Sequence, residues 1–497
     1  MGAALAGLDR EGALYIEGDW VSPTGGATED LVNPATEDVI ASLPVGGTTE
    51  CDAALGAARR AFDEGPWPRL SGAERSATLL RMLDDLTGRR DELIELVMTE
   101  TGAPRGLAAG LHVDTTLAHF RFFAEAAAWP DVEPLPPDLT DRVGGGRLLG
   151  SQVQVYEPYG VVAAISPFNF PLLINVAKVA PAMAMGNTVV LKPSEFTPLE
   201  AVVLAEAAER AGVPAGVLNV ITGGTDVGQA LTADPRVDLI TFTGSDAVGV
   251  AVARQGAETL KKVVLELGGK SALIVREDAD VEAAAAFAVG QYTLQAGQGC
   301  SLCTRHLVHN AVRPRFLELM TGASQALRIG DPADDRTTMG PLIRERQRER
   351  VERYVEEARD DGGEVVTGGR RPADLDRGFF YEPTILTAVD NSSRVAQEEI
   401  FGPVAVVTGF DSDEEAVAIA NDSPFGLSGA VFSRDSGTAF EMARRLRTGQ
   451  VTLNGGSGRM NSWAPFGGYK RSGIGREYGV AGVREFCQTK AIHFNAG

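Results

Sequence analysis

Apolar residues along this chain occur in short runs separated by stretches with helical spacing. Near the beginning, apolar runs at 14–16 and 39–43 predict short strands, and the segments 50–62 and 73–86 have the spacing of amphipathic helices. From about residue 160 the alternation becomes regular, with predicted strands at 161–166, 187–192, 217–222, 237–244 and 261–269. This alternation predicts an α/β fold with a doubly wound parallel sheet, in which ligands bind beyond the carboxyl ends of the strands.

A second α/β stretch follows, from residue 271 to about residue 466. Its predicted strands lie at 271–276, 304–309 and 404–410, and its start, directly after the sequence LELGGK, is the preferred domain boundary.

One helix of the first stretch carries its own start signal in the sequence TPLEAVVLAEAAERAG. We expect Thr197 to be its N-cap, Pro198 its first helical residue and Glu200 the residue that closes a capping box.

Composition and charge narrow the classes of function. The 497 residues exceed what one hydrophobic core holds, and 44% apolar with 23% charged residues is typical of a globular protein. A net charge of -21 argues against a nucleic-acid partner and against an anionic membrane surface. The beginning of the chain lacks a secretion signal, and the apolar stretch 176–191 is too short and interrupted to span a bilayer. Four cysteines make no disulfide framework, so we expect a reduced, cytoplasmic protein.

Half of the cysteines and two of the five histidines stand in one stretch, GQGCSLCTRHLVH. Cys300, Cys303, His306 and His309 follow one another at intervals of three. On a helix or a strand such residues diverge, whereas a tetrahedral zinc site needs a chain reversal between ligand pairs, so we expect no metal. A thioredoxin-like CxxC pair would open a helix, but an apolar strand follows here. The small residues in AGQGC favour a single exposed thiol at Cys300, with an ordinary buried cysteine as an equal alternative.

A cysteine nucleophile needs an oxyanion donor and a base, and two residues at predicted strand ends have that chemistry. Asn169, in SPFNFPL, follows a strand and precedes a helix, so its amide could donate to an oxyanion; a helix cap is the alternative. Glu266, in LELGGK, directly follows an apolar strand, where desolvation raises the pKa of a carboxyl towards that of a general base. A strand-end charge that faces water is the alternative for Glu266.

Seven stretches, in the right order along nearly the whole chain, resemble signatures of the aldehyde dehydrogenase superfamily. They are SPFNFPL, KPSEFTP, FTGSDAVG, LELGGK, GQGC, EEIFGPV and PFGGYKRSGIGRE. The resemblance implies a Rossmann-like NAD-binding domain (1–142 and 157–268), an α/β catalytic domain (269–468) and a small β extension for oligomerisation (143–156 and 483–497). It also implies a homodimer or homotetramer that acts on a small-molecule aldehyde.

The same resemblance assigns catalytic roles. Cys300 would add to the aldehyde, and its backbone N–H together with the Asn169 amide would hold the thiohemiacetal oxyanion. Hydride would then pass to the nicotinamide and leave a thioester, which water activated by Glu266 would hydrolyse to the free acid. Glu477 matches a second acidic residue with a proton-relay role.

The cofactor-binding positions of the family match residues at the predicted strand ends. Lys192 and Glu195 match residues that hold the adenosine ribose, and the carboxylate of Glu195 favours NAD, with NADP as a possible second cofactor. Gly244, Ser245 and Gly249 match the pyrophosphate-binding turn, where helix N-terminal amides meet phosphate oxygens. The full predicted set is Ile165, Ser166, Pro167, Phe168, Lys192, Ser194, Glu195, Gly224, Gly228, Phe242, Gly244, Ser245, Val248, Gly249, Leu267, Gly268, Glu399 and Phe401.

Four residues depart from the family pattern. Phe168 stands where Trp is usual, Asp246 where Thr is common, and Gln295 where Asn is often found. Asp246 would place a negative charge near the pyrophosphate unless it points outward as a cap. Cys303 is an additional thiol, which we expect to be packed rather than paired with Cys300.

The predicted substrate pocket is apolar. Its walls are Phe170, Leu173, Leu302, Trp463 and Phe466, the fourth at the end of the loop 457–463. No concentration of Arg or Lys in these segments would hold an anionic aldehyde. Three other functions stay open: a CoA-acylating dehydrogenase, which typically lacks a base like Glu266, a catalytically silent homologue, and a cysteine hydrolase. For the hydrolase, His306 is too close along a strand to fold back onto Cys300.

Overall fold

The structure is a computed structural model of the chain, and it describes residues 14–141 and 143–495. The segment 1–13, which we expect to carry no secretion signal, and residues 496–497 of the predicted extension lie outside the described residues. Two large sheets with helices packed against them account for most of the described chain, and two small sheets complete it. Parallel strands dominate both large sheets, so the predicted α/β class is confirmed.

Five parallel strands form the centre of the first sheet, and antiparallel strands flank them. In spatial order its strands are Gly473–Ile474, Lys262–Glu266, Leu239–Thr243, Val161–Ile165, Thr188–Lys192, Leu218–Val220, Leu14–Ile16 and Asp19–Val21. Alternate residues of one strand enter different core clusters, with Val162 and Ala164 on one face and Val161 and Ala163 on the other. Burial of both faces explains why the central strands are continuous apolar runs in the sequence.

The second large sheet has seven strands and begins just after the preferred boundary. In spatial order they are Glu364–Thr367, Thr384–Thr387, Val404–Phe410, Cys303–His309, Ser271–Val275, Gly429–Phe432 and Thr452–Leu453. Only Glu364–Thr367 runs antiparallel to its neighbour. The chain passes from the first sheet to the second between Glu266 and Ser271, so the LELGGK motif joins the two.

A separate three-stranded antiparallel sheet is formed by segments far apart in the chain. Arg147–Pro158 lies in its centre, between Cys487–Asn495 and Val132–Asp141. The predicted extension began at residue 143, whereas the sheet also contains the strand that precedes this position. A fourth, two-stranded sheet joins Thr28–Val32 to Val39–Pro44. The assignment of these units to cofactor binding, catalysis and oligomerisation stays a prediction.

Helices pack on both large sheets and connect their strands. The α-helices are Thr48–Asp63, Gly72–Gly88, Arg90–Thr101, Arg105–Leu107, Thr115–Ala126, Pro171–Ala184, Leu199–Arg210, Thr225–Ala233, Asp246–Ala257, Val281–Thr293, Arg313–Gln325, Glu345–Asp360, Arg394–Gln397, Asp413–Asn421, Ser436–Arg445 and Gly479–Arg484. Ala108–Asp114 is a π-helix, and Trp67–Arg69, Leu294–Gly297 and Lys470–Ser472 are 3₁₀ turns. Within the described ranges, none of the helices has both the length and the apolar character needed to cross a membrane.

The predicted start of the helix Leu199–Arg210 was wrong. Pro198, not Thr197, is the residue that precedes its first turn, and no side chain at that position caps the helix. A carboxylate oxygen of Glu100 instead accepts the hydrogen bond of the Leu199 N–H, at 3.1 Å. Glu200 does not close a capping box, because its side chain is fully buried and packs beside Glu100 in the protein interior.

Candidate active site

The predicted catalytic residues lie where parallel strands of the first sheet end. Asn169 follows Val161–Ile165, and Glu266 is the last residue of Lys262–Glu266. Only Leu239–Thr243, which leads into the predicted pyrophosphate turn, separates these two strands in the sheet. Because parallel neighbours end at one edge, the proposed oxyanion donor, base and cofactor turn share one side of the sheet.

A left-handed turn precedes Cys300. The helix Val281–Thr293 ends in the 3₁₀ turn Leu294–Gly297, in which three successive residues have a positive φ. They are Gln295 (49°), Ala296 (52°) and Gly297 (75°). A Cβ added at Gly297 would lie 2.1 Å from the carbonyl carbon of Gly402, so the turn packs directly on neighbouring backbone. The turn leaves Cys300 half-buried between the helix and the next strand.

The two cysteines of this stretch have different surroundings, and neither forms a disulfide. Cys303 is buried, as predicted, and its Sγ lies 3.7 Å from the carbonyl oxygen of Ala272. Burial raises the pKa of the Cys300 thiol, and the charges of Glu399 and Glu266 raise it further. The Cys300 thiol therefore needs a base or a nearby positive charge to become a thiolate.

His306 lacks the arrangement of a general base for Cys300. Its ring is buried in the second sheet, and its Nε2 lies 3.0 Å from the carbonyl oxygen of Cys303. Burial lowers the pKa of His306 to about 4. The cysteine hydrolase alternative is thus left without this histidine as its base.

Asn169 is tied to the turn that holds Cys300. The Asn169 side chain is buried, and its Nδ2 donates a hydrogen bond of 2.7 Å to the carbonyl oxygen of Gln298. Gln298 is itself held, because its Nε2 donates to the carbonyl oxygen of Gln295 and its Oε1 accepts from the Ile343 N–H, both at 3.0 Å. Among the described residues the Asn169 amide makes this one donation, so its second N–H fits the predicted role of an oxyanion donor.

Glu266 is a buried carboxylate without a hydrogen-bond partner among the described residues. A Cβ added at Gly467 would lie 2.7 Å from Glu266 Oε1, so the chain closes tightly over the carboxylate. Burial raises the pKa of Glu266 well above its usual value, the charge of Glu477 raises it further, and Lys178 opposes this effect. A carboxyl with a raised pKa suits general-base catalysis near neutral pH.

Glu477 has a partner that sequence reasoning missed. Its Oε1 lies 2.8 Å from Nζ of Lys178, a fully buried side chain that also donates to Oγ1 of Thr241 at 3.0 Å. The sequence signal for this pair is Lys178 itself, a single lysine that interrupts the apolar stretch 176–191. A lysine there is costly to bury alone and therefore implies a carboxylate partner.

The predicted pyrophosphate turn has the features of an anion-binding helix start. Ser245 is the N-cap of Asp246–Ala257, and its Oγ accepts from the Val248 N–H at 3.4 Å. The negative charge of Asp246 is paired with Arg471, with a shortest N···O distance of 2.6 Å. Oδ1 of Asp246 also accepts from the Ala247 N–H of the first turn at 2.9 Å. Asp246 therefore occupies one of the first-turn donors, and Arg471 balances its charge.

Close approaches at glycine shape the same cleft. A Cβ added at Gly244 would lie 2.5 Å from the Phe242 ring, and one added at Gly249 would lie 2.5 Å from Leu267. A Cβ added at Gly268 would meet the Glu399 carboxylate, also at 2.5 Å. At these positions only glycine lets the Phe242, Leu267 and Glu399 side chains pack directly against the backbone. The role of these residues in binding the cofactor stays a prediction.

Ionisable side chains lie at both ends of the predicted cofactor cleft. At the ribose end, Nζ of buried Lys192 is 4.0 Å from Oε2 of Glu195. At the nicotinamide end, Oε1 of Glu399 accepts from the Gly269 N–H at 3.0 Å, and burial raises the pKa of Glu399 to about 7. Phe401 meets Phe168 edge-on at 5.8 Å. The remaining predicted positions lie at the same strand and helix ends: Ile165, Ser166, Pro167, Ser194, Gly224, Gly228 and Val248.

The predicted substrate walls are only partly enclosed. Phe170, Leu173 and Leu302 are buried, Phe466 is half-buried, and Trp463 is 62% exposed. Sequence reasoning missed three aromatic or imidazole side chains beside them. They are His112, which packs on the Phe170 ring at 4.8 Å, and the pair His119 and Tyr478, whose centroids are 4.5 Å apart. Their helical or loop positions carried no motif.

No group of three or more His, Cys, Asp or Glu side chains within the described ranges has an arrangement that could hold a metal ion. Cys300 and Cys303 in particular have the separate surroundings given above.

The family model described as "Aldehyde dehydrogenase family" matches residues 20–492. The chain belongs to the aldehyde dehydrogenase family. It is 39% identical over 491 residues to a betaine aldehyde dehydrogenase of Bacillus subtilis (strain 168), covering 97% of each chain. It is 39% identical over 480 residues to a putative aldehyde dehydrogenase of Staphylococcus aureus (strain bovine RF122 / ET3-1), covering 96% of this chain and 98% of that protein.

Solved structures of aldehyde dehydrogenases share the fold over nearly the whole chain. A betaine aldehyde dehydrogenase from Staphylococcus aureus in complex with NAD+ matches with a TM-score of 0.94 and 36% identity, covering 99% of this chain and 96% of that one. An NAD+ complex of the Bacillus cereus aldehyde dehydrogenase also has a TM-score of 0.94 and 36% identity, covering 100% and 99%. The fold implied by the sequence motifs is therefore confirmed, and the chain is an aldehyde dehydrogenase of the α/β type found in those structures.

Proposed function

We propose that this aldehyde dehydrogenase oxidises an aldehyde to the free carboxylic acid with NAD as the hydride acceptor. The observation that carries the proposal is the position of Cys300. It follows a left-handed turn tied to the Asn169 amide. Burial raises the pKa of the Cys300 thiol, and the charges of Glu399 and Glu266 raise it further, so the Glu266 carboxylate, which has no hydrogen-bond partner among the described residues, is near enough to act on the thiol. These observations support a site in which Cys300 is the nucleophile, Asn169 the oxyanion donor and Glu266 the base, as the reaction requires.

The first half of the reaction uses Cys300 and Asn169. The half-buried Cys300 thiol transfers its proton to solvent water and its Sγ bonds to the carbonyl carbon. The free N–H of Asn169 stabilises the resulting oxyanion. NAD, when bound, supplies the acceptor for the hydride that then leaves this carbon, so that a thioester on Cys300 remains. Donation from Asn169 to Gln298 keeps the amide in place throughout.

The second half uses Glu266. Its carboxylate takes a proton from a water molecule, the water oxygen bonds to the thioester carbon, and the C–S bond breaks to release the acid and the Cys300 thiolate. The raised pKa of Glu266 makes it a stronger base than an exposed carboxylate. Glu477 and Lys178, ion-paired beside it, provide a route for the proton to leave.

NAD is the proposed cofactor because it is bound in the related Staphylococcus aureus and Bacillus cereus structures and because Glu195 stands at the predicted ribose position. The charge of Glu195 would repel a 2′-phosphate. Arg344, whose guanidinium lies over the Phe196 ring at 4.1 Å, is close enough for its charge to interact with Glu195. We therefore propose NADP as a second cofactor. Initial rates with NAD and NADP at several concentrations measure which cofactor the protein prefers.

The carboxyl group of Glu266 favours water over CoA as the acyl acceptor. In the Glu266→Gln variant we expect one burst of NADH per active site followed by slow turnover, because acylation persists while hydrolysis loses its base. Addition of CoA should not restore fast turnover. Rapid CoA-dependent turnover of the wild-type protein would instead support the acylating alternative.

The Cys300→Ala variant tests the whole proposal. We expect NADH production with any aldehyde to disappear while NAD still binds, as followed by protein fluorescence. Oxidation close to that of the wild type would assign the chemistry to another nucleophile. Absence of oxidation by the wild type itself, over a panel of aldehydes, would support the catalytically silent alternative.

The panel includes straight-chain and aromatic aldehydes, a semialdehyde with a carboxylate, and betaine aldehyde, after which the relatives are named. We expect apolar aldehydes to be preferred over the semialdehyde.

The three-stranded sheet is the proposed surface for a homodimer or homotetramer, because its outer strands, Val132–Asp141 and Cys487–Asn495, each leave one edge without a neighbouring strand among the described residues. A cytoplasmic location completes the proposal.

A further inference from the structure

A series of aromatic rings leads from the surface to the catalytic residues. The exposed Trp463 stacks on Trp129 with centroids 5.8 Å apart, and it meets Phe122 edge-on at 4.9 Å. Phe122 contacts Phe123 at 5.6 Å, and Phe123 stacks on Tyr478 at 5.9 Å. Only Trp463 of these residues was expected in the substrate pocket. The rings form a continuous series of contacts that ends at Tyr478, with Phe123 fully buried within it, and we call this series the aromatic wall.

Tyr478 lies against the catalytic carboxylates. It directly follows Glu477, and its buried ring packs edge-on on Phe466 at 6.3 Å. Phe466 is bound to Glu477 by two backbone hydrogen bonds, both with N···O distances of 2.7 Å, and is followed by Gly467, which touches Glu266. Among the described residues, the Tyr478 hydroxyl makes no hydrogen bond.

The backbone of Tyr478 is held in a conformation that a bulky residue rarely adopts, with φ of 57° and ψ of 169°. Two hydrogen bonds of 2.9 Å fix it, from the Gly479 N–H to the Ser462 carbonyl and from the Gly482 N–H to the Tyr478 carbonyl. Such strain persists where a side chain must be placed in one direction, and it is concentrated at functional sites. Here it places the phenol ring beside the catalytic carboxylates.

His119 is the neighbour of Tyr478 on the opposite side. The two rings meet edge-to-face at 4.5 Å, and the imidazole is buried. The Met460 carbonyl is near the imidazole, but neither ring nitrogen has hydrogen-bond geometry with a described residue. Burial lowers the pKa of His119 to about 4 and raises that of the Tyr478 phenol, so both side chains are neutral at pH 7. A buried polar group without a hydrogen-bond partner destabilises the protein by its desolvation free energy, and a hydrogen bond to a bound ligand would offset that loss.

We propose that Tyr478 and His119 determine substrate specificity by hydrogen-bonding a neutral polar substituent, such as a hydroxyl group, on an aromatic aldehyde. The aromatic wall binds the ring of the substrate. The two neutral side chains provide a donor and an acceptor in an otherwise apolar surface. An anionic tail is disfavoured, because Lys178, the cation beside Glu477, is already paired. This inference rests on the proposed oxidation at Cys300.

The test compares benzaldehyde with its 2-, 3- and 4-hydroxy derivatives in the wild type and in the Tyr478→Phe, His119→Leu and His119→Gln variants. The measured quantity is kcat/KM from NADH formation, expressed as the ratio of hydroxylated to unsubstituted aldehyde. Tyr381→Phe is the control, because it removes the hydroxyl of a similarly buried tyrosine in the second α/β unit.

For at least one isomer we expect Tyr478→Phe and His119→Leu to lower the ratio about tenfold, the loss typical of one neutral hydrogen bond. His119→Gln should retain much of the ratio, and Tyr381→Phe should retain all of it. Ratios within twofold of the wild type for every isomer in both removing variants overturn the inference while the proposed function stands. Absence of oxidation of these four aldehydes by a wild type that oxidises other aldehydes of the panel overturns the inference alone, whereas absence of oxidation over the whole panel overturns both. Calorimetric binding of the same aldehydes to Cys300→Ala, with and without Tyr478→Phe, measures the same hydrogen bond without turnover. Weaker binding of the hydroxylated aldehyde alone supports the inference, and unchanged binding overturns it.

Discussion

Replacement of Gly297 by alanine should damage the active site far more than one methyl group normally does. Gly297 is the third left-handed residue in succession, with φ of 75°, and it stands three positions before Cys300. The added Cβ would lie 2.1 Å and 2.2 Å from the carbonyl carbon and oxygen of Gly402 and 2.5 Å from the nitrogen of Pro403. All three contacts are backbone atoms, so no side chain can rotate out of the way.

The expected magnitude follows from these two features. The left-handed conformation costs an L-residue about 1–2 kcal/mol. Overpacking that forces backbone to shift adds about 1–3 kcal/mol. Replacing glycine also lowers the conformational entropy of the unfolded chain, which stabilises the variant by about 0.4–1 kcal/mol, so the net destabilisation should be about 1 to 4.6 kcal/mol.

Urea unfolding followed by fluorescence and kcat/KM for one aldehyde measure the two consequences. Gly290→Ala is the matched control, because Gly290 lies in the preceding helix and a Cβ there meets nothing within 4 Å. We expect the control to gain up to about 1 kcal/mol from helix propensity and to keep its activity within twofold. Gly297→Ala should unfold at a lower urea concentration and lose at least about tenfold in kcat/KM, since a shift of the turn misplaces the thiol.

An unfolding midpoint and activity of Gly297→Ala equal to those of Gly290→Ala would refute the reasoning. That result would mean that the backbone around Gly402 yields at little cost and that the left-handed turn does not set the position of Cys300.

Three further changes have effects that the structure predicts. Asn169→Ala should lower kcat about a hundredfold with little change in cofactor binding, because one preorganised oxyanion donor is lost; an effect below fivefold in stopped-flow NADH formation would contradict this role. The kcat of the wild type should fall as pH decreases through the raised pKa of Glu266, since the base must be deprotonated, and Glu266→Gln should lack this dependence. Glu100→Gln should become progressively more stable than the wild type as pH rises in urea unfolding between pH 5 and 9. Burial and the neighbouring Glu200 raise the pKa of Glu100 in the folded protein above its value in the unfolded chain. The contribution of the neutral Glu100 carboxyl to wild-type stability is therefore complete below about pH 4.5 and is lost as pH rises through the folded-state pKa. A stability difference between the two proteins that does not depend on pH would contradict this.

The central strands were predictable because burial on both faces leaves a continuous apolar run. The run 161–166 corresponds to the strand Val161–Ile165, and 404–410 matches Val404–Phe410. The site residues were predictable for a related reason, since motifs that follow such strands are carried to one edge of the sheet. Candidate site residues that belong to a short motif after a strand could therefore be predicted from the sequence alone.

Features that depend on contacts between distant segments of the chain could not be predicted from the sequence. The strand Val132–Asp141 contains three prolines, which argue against a strand, and it is tolerated because it lies at the edge of its sheet. The start of the helix at Leu199 is set by Glu100 from another helix, so a local capping box was the wrong model. The pairing of His119 with Tyr478 likewise joins residues that share no motif.

The short strand Gly473–Ile474 pairs with the edge of the first sheet at Glu266, although it follows that residue by about 200 positions and comes after the entire second sheet. During synthesis on the ribosome, the first α/β unit therefore emerges long before its last strand does. Until then the backbone beside Glu266, the proposed general base, is an open edge, available to chaperones or to pairing with other nascent chains. Catalytic competence should consequently appear late and abruptly in refolding, after most of the helical signal has already returned.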